Sequence, residues 1–421
     1  MAIEDNRKPF KFLEDFVSKL SLPVLLLLAF LPRIVLAPFT EHQFDVGTFK
    51  NMATLAYSLN IDPLYYWSYG PVWLYIILGV YPFYLLISLV QPSELIANLV
   101  IKLPLIIGDL ALGACLYYLS NSVTRNERLS KVVAAAWLFN PLVIFVSSVH
   151  GMFDQLPALF TLLSLIFLAK RKIGLSAIFL SVAFSTKLYV VFLIPFLLLP
   201  LAKEKSSKAL RFLVAFFVTT FILYSPYLLD YNTVNVLISV YSGYKGFGKF
   251  LGYPVGLASF IPYSDLPAPL LFVLTNQFFT LLIPALIAMT YYIWKNKQLF
   301  TFDIQVLNRN IAVGLLAYFL AYQFIHVQFV IWVLPSLLIA YMISHQLRGY
   351  VYHAVWISML MWYLSQGVQT FVSNVLIPSV SWGQEVPAFR VLAVTYLSDS
   401  IFVVASILGI ISMLRWRQKN A

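Results

Sequence analysis

Residues 72–90 read VWLYIILGVYPFYLLISLV, and whether this run crosses a bilayer decides the topology of everything after it. A crossing helix needs roughly 20 apolar residues. If the run crosses once, the parity of every later segment reverses. Arg125, Arg128 and Lys131 would then lie outside, as would Lys170-Arg171-Lys172. Short cytoplasmic loops carry the excess of Lys and Arg, so that parity contradicts each later loop. The consistent reading leaves 72–92 out of the count. The segment lies at the outer interface, or dips in and returns, kinked at Tyr81-Pro82.

A membrane is demanded by composition. The chain has 421 residues, 61% of them hydrophobic and 11% charged, more apolar surface than a soluble fold of this size can bury. The hydropathy pattern predicts spans near 20–38, 98–119, 132–149, 156–169, 173–187, 188–202, 209–228, 267–294, 311–325, 328–344, 351–368 and 391–414. The expected fold is therefore an all-α polytopic membrane protein with about 12 transmembrane helices and both termini cytoplasmic. Residues 1–19 form a cytoplasmic N-terminal segment and 39–97 a long first outer loop of amphipathic, aromatic-rich pieces. A module over 20–228 is followed by an outer loop at 229–266 and a C-terminal membrane module at 267–421. No cleavable signal peptide, Walker motif, glycosylation sequon or Cys/His cluster is expected, and the lone Cys115 permits no intramolecular disulfide.

Charge supplies the functional signal. The net charge of +11 sits largely in inside loops, where it sets topology and meets anionic lipid, so nucleic acid is not an expected partner. Of the 28 basic residues, 21 fall in clusters expected inside: the N-terminal segment, residues 125–131, 170–172, 203–211 and 295–309, Arg348, and the tail at 415–419. The other seven, Arg33, Lys50, Lys102, Lys187, Lys245, Lys249 and Arg390, lie at the outer face or within the membrane. A cation kept there usually holds something negative. Acids gather on the same side, among them Glu41, Asp45, Asp109, Asp154 and Asp399. One outward-facing site with a proton acceptor and an anion clamp is the economical reading.

Five segments can build it. Glu41-His42-Gln43-Phe44-Asp45 follows the first span, where partial desolvation is expected to raise the proton affinity of Asp45. His150-Gly151-Met152-Phe153-Asp154 is a polar turn between spans, with His150 and Asp154 four apart on one face if the turn is helical. Ser185-Thr186-Lys187 is the outer tip of a short hairpin, where Lys187 either touches a phosphate as a point charge or snorkels to the interface. The Gly- and Tyr-rich stretch 241–249 carries Lys245 and Lys249, and His326-Val327-Gln328 sits at a late outer turn. Each also has a plainer reading as a solvated loop or a structural polar group. Asp109 and Asp399 are expected to hydrogen-bond Ser, Tyr or Asn on a neighbouring helix.

Taken in order, the acid after the first span, a Tyr69-Gly70-Pro71 segment, WLFNPLVIFVSSVHGMFDQLPAL, STKLYVVFLIP and QFVIWVLP resemble the GT-C glycosyltransferases, which use sugars carried on a polyprenyl phosphate. The likeness is nearest to the catalytic subunit of GPI mannosyltransferase I and related mannosyltransferases, over residues 30–345. It implies transfer of a hexose, mannose by likeness alone, from a polyprenyl or dolichyl phosphate to an acceptor hydroxyl at the extracytoplasmic face, with inversion. Carried over by position, Asp45 is the catalytic first-loop acid, and His150 and Asp154 lie at the reacting centre. Lys187 faces the donor phosphate, with Lys245, Lys249, His326, Arg33 and Arg390 as further phosphate contacts. Glu41, Gln43, Tyr66, Trp67, Tyr69 and Gln328 are the substrate-binding candidates. The relatives' Asp-x-Asp pair reads Gln43-Phe44-Asp45 here, which leaves a divalent metal open and names no certain cofactor.

The implied partners are a polyprenyl-phosphate-linked sugar donor and a lipid-linked or protein acceptor; no accessory subunit is named. The implied location is the cell membrane of a prokaryote or the endoplasmic reticulum of a eukaryote. A secondary transporter or lipid flippase is the alternative from another class, since many spans with intramembrane charge fit it too. No second copy of the HGMFDQ or STK segments supports a repeat, however. A noncatalytic assembly subunit ranks third.

Overall fold

The computed structural model of the chain describes residues 15–59, 63–67, 69–90, 92–228, 269, 281–295, 303–321, 326–343, 348–371 and 388–415, and the elements among them are helices. Helix α1 (Leu22–Leu36) opens with Pro23 in its first turn and runs into a 3-10 turn at Ala37–Phe39. After a short break come α2 (Gln43–Tyr57), α3 (Pro71–Ser88) and the 31-residue α4 (Glu94–Thr124). Helix α5 (Glu127–Leu138) bends by 47° into α6 (Pro141–Ile144), which ends in a π-type turn at Phe145–His150. Then follow α7 (Gln155–Ala169), α8 (Ile173–Phe184), α9 (Ile194–Glu204) and α10 (Ser206–Leu228). The later helices are α11 (Ile283–Lys295), α12 (Ile304–Ala321), α13 (Leu334–Ile343), α14 (Arg348–Phe371) and α15 (Ala388–Leu414).

Six described helical stretches are long and apolar enough to cross a membrane, and the bent pair α5–α6 makes a seventh. The chain is a multi-pass integral membrane protein. Apolar side chains of α1 and α10 stay exposed on the protein surface, among them Leu27, Val35, Phe217 and Phe221, as lipid contact requires. Packing joins α4 to α1, α5 and α7, joins α8 to α7 and α10, and sets α12 against α15. Tyr352 ties the halves together: its hydroxyl donates to the Ala136 carbonyl at 3.1 Å and accepts from the Asn140 amide at 3.2 Å.

Residues 71–88 depart from the expected dip. Pro71–Ser88 is one continuous helix with Pro82 inside it, and its length and composition qualify it to cross. Neighbouring elements of the same bundle end hold the segment's flanks. Val72 N–H donates to the Ser185 carbonyl at 3.2 Å, and six residues past the helix Glu94 pairs with Lys50, 2.8 Å apart.

Two buried cations brace this architecture. Arg33 is wholly enclosed, its Nε 3.1 Å from Asp109 Oδ2 and its Nη1 donating to the carbonyls of Ala29 (2.8 Å) and Leu138 (2.9 Å). Arg33, expected at the outer anion, is instead matched to an acid inside the bundle, while Asp109 keeps its expected neutral partner, the Ser147 side chain, beside that guanidinium. Lys102, also enclosed, presents its ammonium to the carbonyls of Ala37 (3.2 Å), Thr40, Ser148 (2.9 Å) and Val149 (3.2 Å). It thereby clamps the chain after α1 to the turn after α6.

Among the described residues, Lys170 and Arg171 follow the end of α7 away from Asp154. Lys131 pairs with Glu127 and reaches the Ser18 carbonyl, while Arg171 and Lys208 share Glu204.

Candidate active site

Asp45 lies in the first turn of α2, whose start is set by His42 as N-cap. Asp45 is 7% exposed. Its Oδ2 is 2.7 Å from His42 Nδ1 and 3.2 Å from His150 Nε2, and its Oδ1 accepts from the Tyr69 hydroxyl at 3.4 Å. The two imidazoles stack with centroids 4.4 Å apart and planes 24° from parallel. The His42 N–H donates to the His150 carbonyl at 3.1 Å, so backbone as well as side chains joins the two segments. Burial pushes the Asp45 carboxyl up, but hydrogen bonds and charge from His150 and His42 outweigh it and hold the group well below the usual carboxylate range. The expected rise in proton affinity is thus reversed, because desolvation was considered without the imidazoles.

The turn bearing His150 has a shape its sequence dictates. Asn140 caps α6 through its side chain, and Pro141 opens it. The π-type turn then ends at Gly151 with φ of +85°. A Cβ at Gly151 would lie 2.7 Å from Val46 Cγ2 and 2.9 Å from Lys102 Cε, so both backbone conformation and space require glycine. Because the left-handed residue breaks the turn, His150 and Asp154 do not sit on one regular helical face.

Asp154 is enclosed at the start of α7. Its Oδ1 accepts from Lys187 Nζ at 2.7 Å and from Trp332 Nε1 at 2.7 Å. The Lys187 ammonium also sits 4.7 Å from the Phe153 ring centre, 4.9 Å from Phe329 and 5.6 Å from Trp332, a setting that favours a cation. Tyr189 stacks on Trp332 at 3.5 Å. Lys187 is therefore no free surface charge; an anion approaching it meets an ammonium already matched to Asp154.

Phe153 and Tyr69 join the two groups of ionisable residues. Tyr69 touches Asp45 and packs edge-on against Phe153 at 5.3 Å, and Phe153 lies under Lys187. The docking that holds them is tight at Gly70, where a Cβ would lie 2.1 Å from the Ser185 carbonyl oxygen. The Tyr69-Gly70-Pro71 segment thus seats directly on the Ser185-Thr186-Lys187 tip. His326 lies at the chain's exposed edge of this region, within electrostatic range of Lys187, Asp154, Asp45 and His150.

Other sequence candidates fall elsewhere. Glu41 is bound to Lys50 at 2.8 Å, and Lys50 also holds Glu94 and Asn98; it braces the loop, which corrects its expected substrate contact. Trp67 is 1% exposed with its Nε1 donating to the Gly70 carbonyl at 2.9 Å, so its ring belongs to the core, not to a sugar platform. Gln328 is buried. Lys245, Lys249 and the loop 229–266 lie outside the described residues, as do the side chains of Gln43, Tyr66 and Arg390. Two participants had drawn no role from sequence: His42, three residues before Asp45, and Trp332, inside the QFVIW segment.

Known families touch part of this region. The family model of the GPI transamidase subunit PIG-U matches residues 71–244. That stretch holds His150, Asp154 and Lys187 but neither Asp45 nor Trp332. It is less than half of the chain, and the matched family differs from the mannosyltransferase I subunit that the sequence resembles. No curated protein matches the chain.

Proposed function

We propose that the protein is a membrane-embedded glycosyltransferase. It moves a hexose, mannose by likeness, from a polyprenyl phosphate to an acceptor hydroxyl at the outer end of the bundle. The observation that carries this is the convergence of Asp45, the His150–Asp154 turn and Lys187, from three separate segments, behind an aromatic wall of Tyr69, Phe153 and Trp332. In this reading the Asp45 carboxylate, oriented by His42 and His150, takes the acceptor's hydroxyl proton. The acceptor oxygen bonds to the anomeric carbon as the carbon–oxygen bond to phosphate breaks on the opposite face. The anomeric centre inverts, and the lipid phosphate leaves as an anion. Fixed positive charge and hydrogen-bond donors at Lys187, with His326 nearby, stabilise that departing charge. About twelve spans, with α3 lying along the outer interface, accommodate the tethers at both flanks of α3 and the basic clusters of the inside loops.

The test is transfer from labelled polyprenyl-phosphate mannose by the purified protein. An Asp45→Asn variant that keeps full activity removes the carboxylate from the base role. A protein inert with mannose, glucose and galactose donors alike sinks the reading.

The match over residues 71–244 favours a second reading. There the chain is a subunit of a GPI-transamidase-type assembly, and the same side-chain cluster holds a glycolipid without transferring sugar. In that case Asp45→Asn, His150→Gln and Lys187→Met affect glycolipid binding and assembly, with no sugar transfer to lose.

A further inference from the structure

We propose that His42, Asp45 and His150 form a binding site for a divalent first-row transition ion, such as Zn²⁺ or Mn²⁺. One nitrogen from each ring and a carboxylate oxygen lie within 4.8 Å of one another. Imidazole pairs with a carboxylate suit these ions better than Ca²⁺ or Mg²⁺, which favour all-oxygen sets. In a tetrahedral site with bonds of about 2.0–2.1 Å, neighbouring donors stand about 3.3 Å apart. Here His42 Nδ1 and His150 Nε2 stand 2.7 Å and 3.2 Å from the shared Oδ2. Opening the set by about half an ångström would admit an ion of that bond length.

The frame behind these donors is prebuilt. The His42 N–H to His150 carbonyl bond fixes the two histidines' backbones together. Lys102 clamps Thr40 to Ser148 and Val149, two residues or fewer from each histidine. Gly151 is required immediately after His150 by space and by φ. The Tyr69 hydroxyl on Asp45 Oδ1 is the kind of outer contact that orients a ligating carboxylate. The His42 side chain is 42% exposed, which leaves an approach for an incoming oxygen. Three protein donors with an open side describe a catalytic rather than a structural site.

Binding of the ion does not depend on the proposed sugar transfer; its use does. In that reaction an ion held here would take the acceptor's oxygen and lower its proton affinity beside Asp45.

The experiment uses the full-length protein in detergent, without a polyhistidine tag, stripped with EDTA and re-equilibrated with Zn²⁺ or Co²⁺. Bound metal is counted by mass spectrometry, and the visible bands of Co²⁺ report coordination. One equivalent is expected. His42→Ala, a change at a partly exposed side chain, should weaken binding by more than ~100-fold while leaving the elution profile unchanged. His326→Ala should leave binding intact. Absence of binding at micromolar metal, or equal binding by the His42→Ala protein, overturns the site. Sugar transfer that persists in EDTA without bound metal overturns the ion's part in the reaction while sparing the glycosyltransferase reading. One bound equivalent in a protein that transfers no sugar upholds the site and removes that reading.

Discussion

Replacing Gly70 by alanine tests how the site is held together. An ideal Cβ at this position lies 2.1 Å from the Ser185 carbonyl oxygen and 2.6 Å from its carbon. Both are backbone atoms, so no side chain can swing aside. To restore ordinary contact, the Tyr69-Gly70-Pro71 segment and the Ser185-Thr186-Lys187 tip must separate by about 1 Å, a close-packed interior giving little room. The Val72 N–H bond to Ser185, now 3.2 Å, is then lost, at about 1 kcal/mol. Strain from overpacking adds about 1–3 kcal/mol. The larger consequence is geometric, because Tyr69 touches Asp45 and the tip carries Lys187. A displacement of about 1 Å in a reacting constellation costs on the order of 100-fold in rate. Gly70→Ala is therefore expected to melt at lower temperature and to lose about two orders of magnitude in sugar transfer. Gly79→Ala within the α3 helix that follows, where a Cβ meets nothing within 4 Å, is the control. Wild-type melting and transfer in Gly70→Ala would refute the docking argument.

Further predictions follow from the charge pairs. Lys187→Met leaves Asp154 enclosed with only the Trp332 indole still donating to its Oδ1, and breaking such a buried pair typically costs about 3–5 kcal/mol; a thermal melt unchanged from wild type would contradict it. Arg33→Leu should destabilise by a similar ~3–5 kcal/mol, with Arg33→Leu/Asp109→Leu recovering much of the loss; a double variant worse than the single one would refute the pairing. For Lys50, burial lowers the pKa but Glu41 and Glu94 outweigh it, so the folded value lies above 10.5. Its contribution is present below 10.5 and lost as pH rises through the folded value, so the stability gap to Lys50→Met should hold to about pH 10 and narrow beyond. A gap that closes by about pH 9 would overturn this.

Much of the fold was legible because a bilayer reads composition so directly. A described helix lies over part of each expected span, and the break of the short hairpin falls at residues 185–187. Alternating basic loops gave the expected parity, and in the fold Arg171 and Lys131 are each paired with an acid. The site's members were also legible individually, as costly charges at apolar boundaries. Their partners were not. Asp45 meets His150 across 105 positions, and Asp154 meets Trp332 across 178. No local periodicity encodes such distances. A cation or an acid near a boundary looks available in sequence until its counterion is placed, Asp109 on α4 for Arg33 and Lys50 on the following α2 for Glu41. His42 carried a usable signal, since a cap residue three before an acid in the first helical turn points at that acid.

The bond from the Trp332 indole to Asp154 has a bearing on modularity. Part of the aromatic packing around Lys187 and Asp154 is delivered by a segment more than 80 residues beyond the stretch that the family model matches. Grafting residues 71–244 into another membrane scaffold would transplant an acid and an amine without their indole lid. The front and rear halves of this chain must therefore vary in concert at Asp154 and Trp332, and a chimera joined between them would keep its helices while losing the dryness that sharpens its charges.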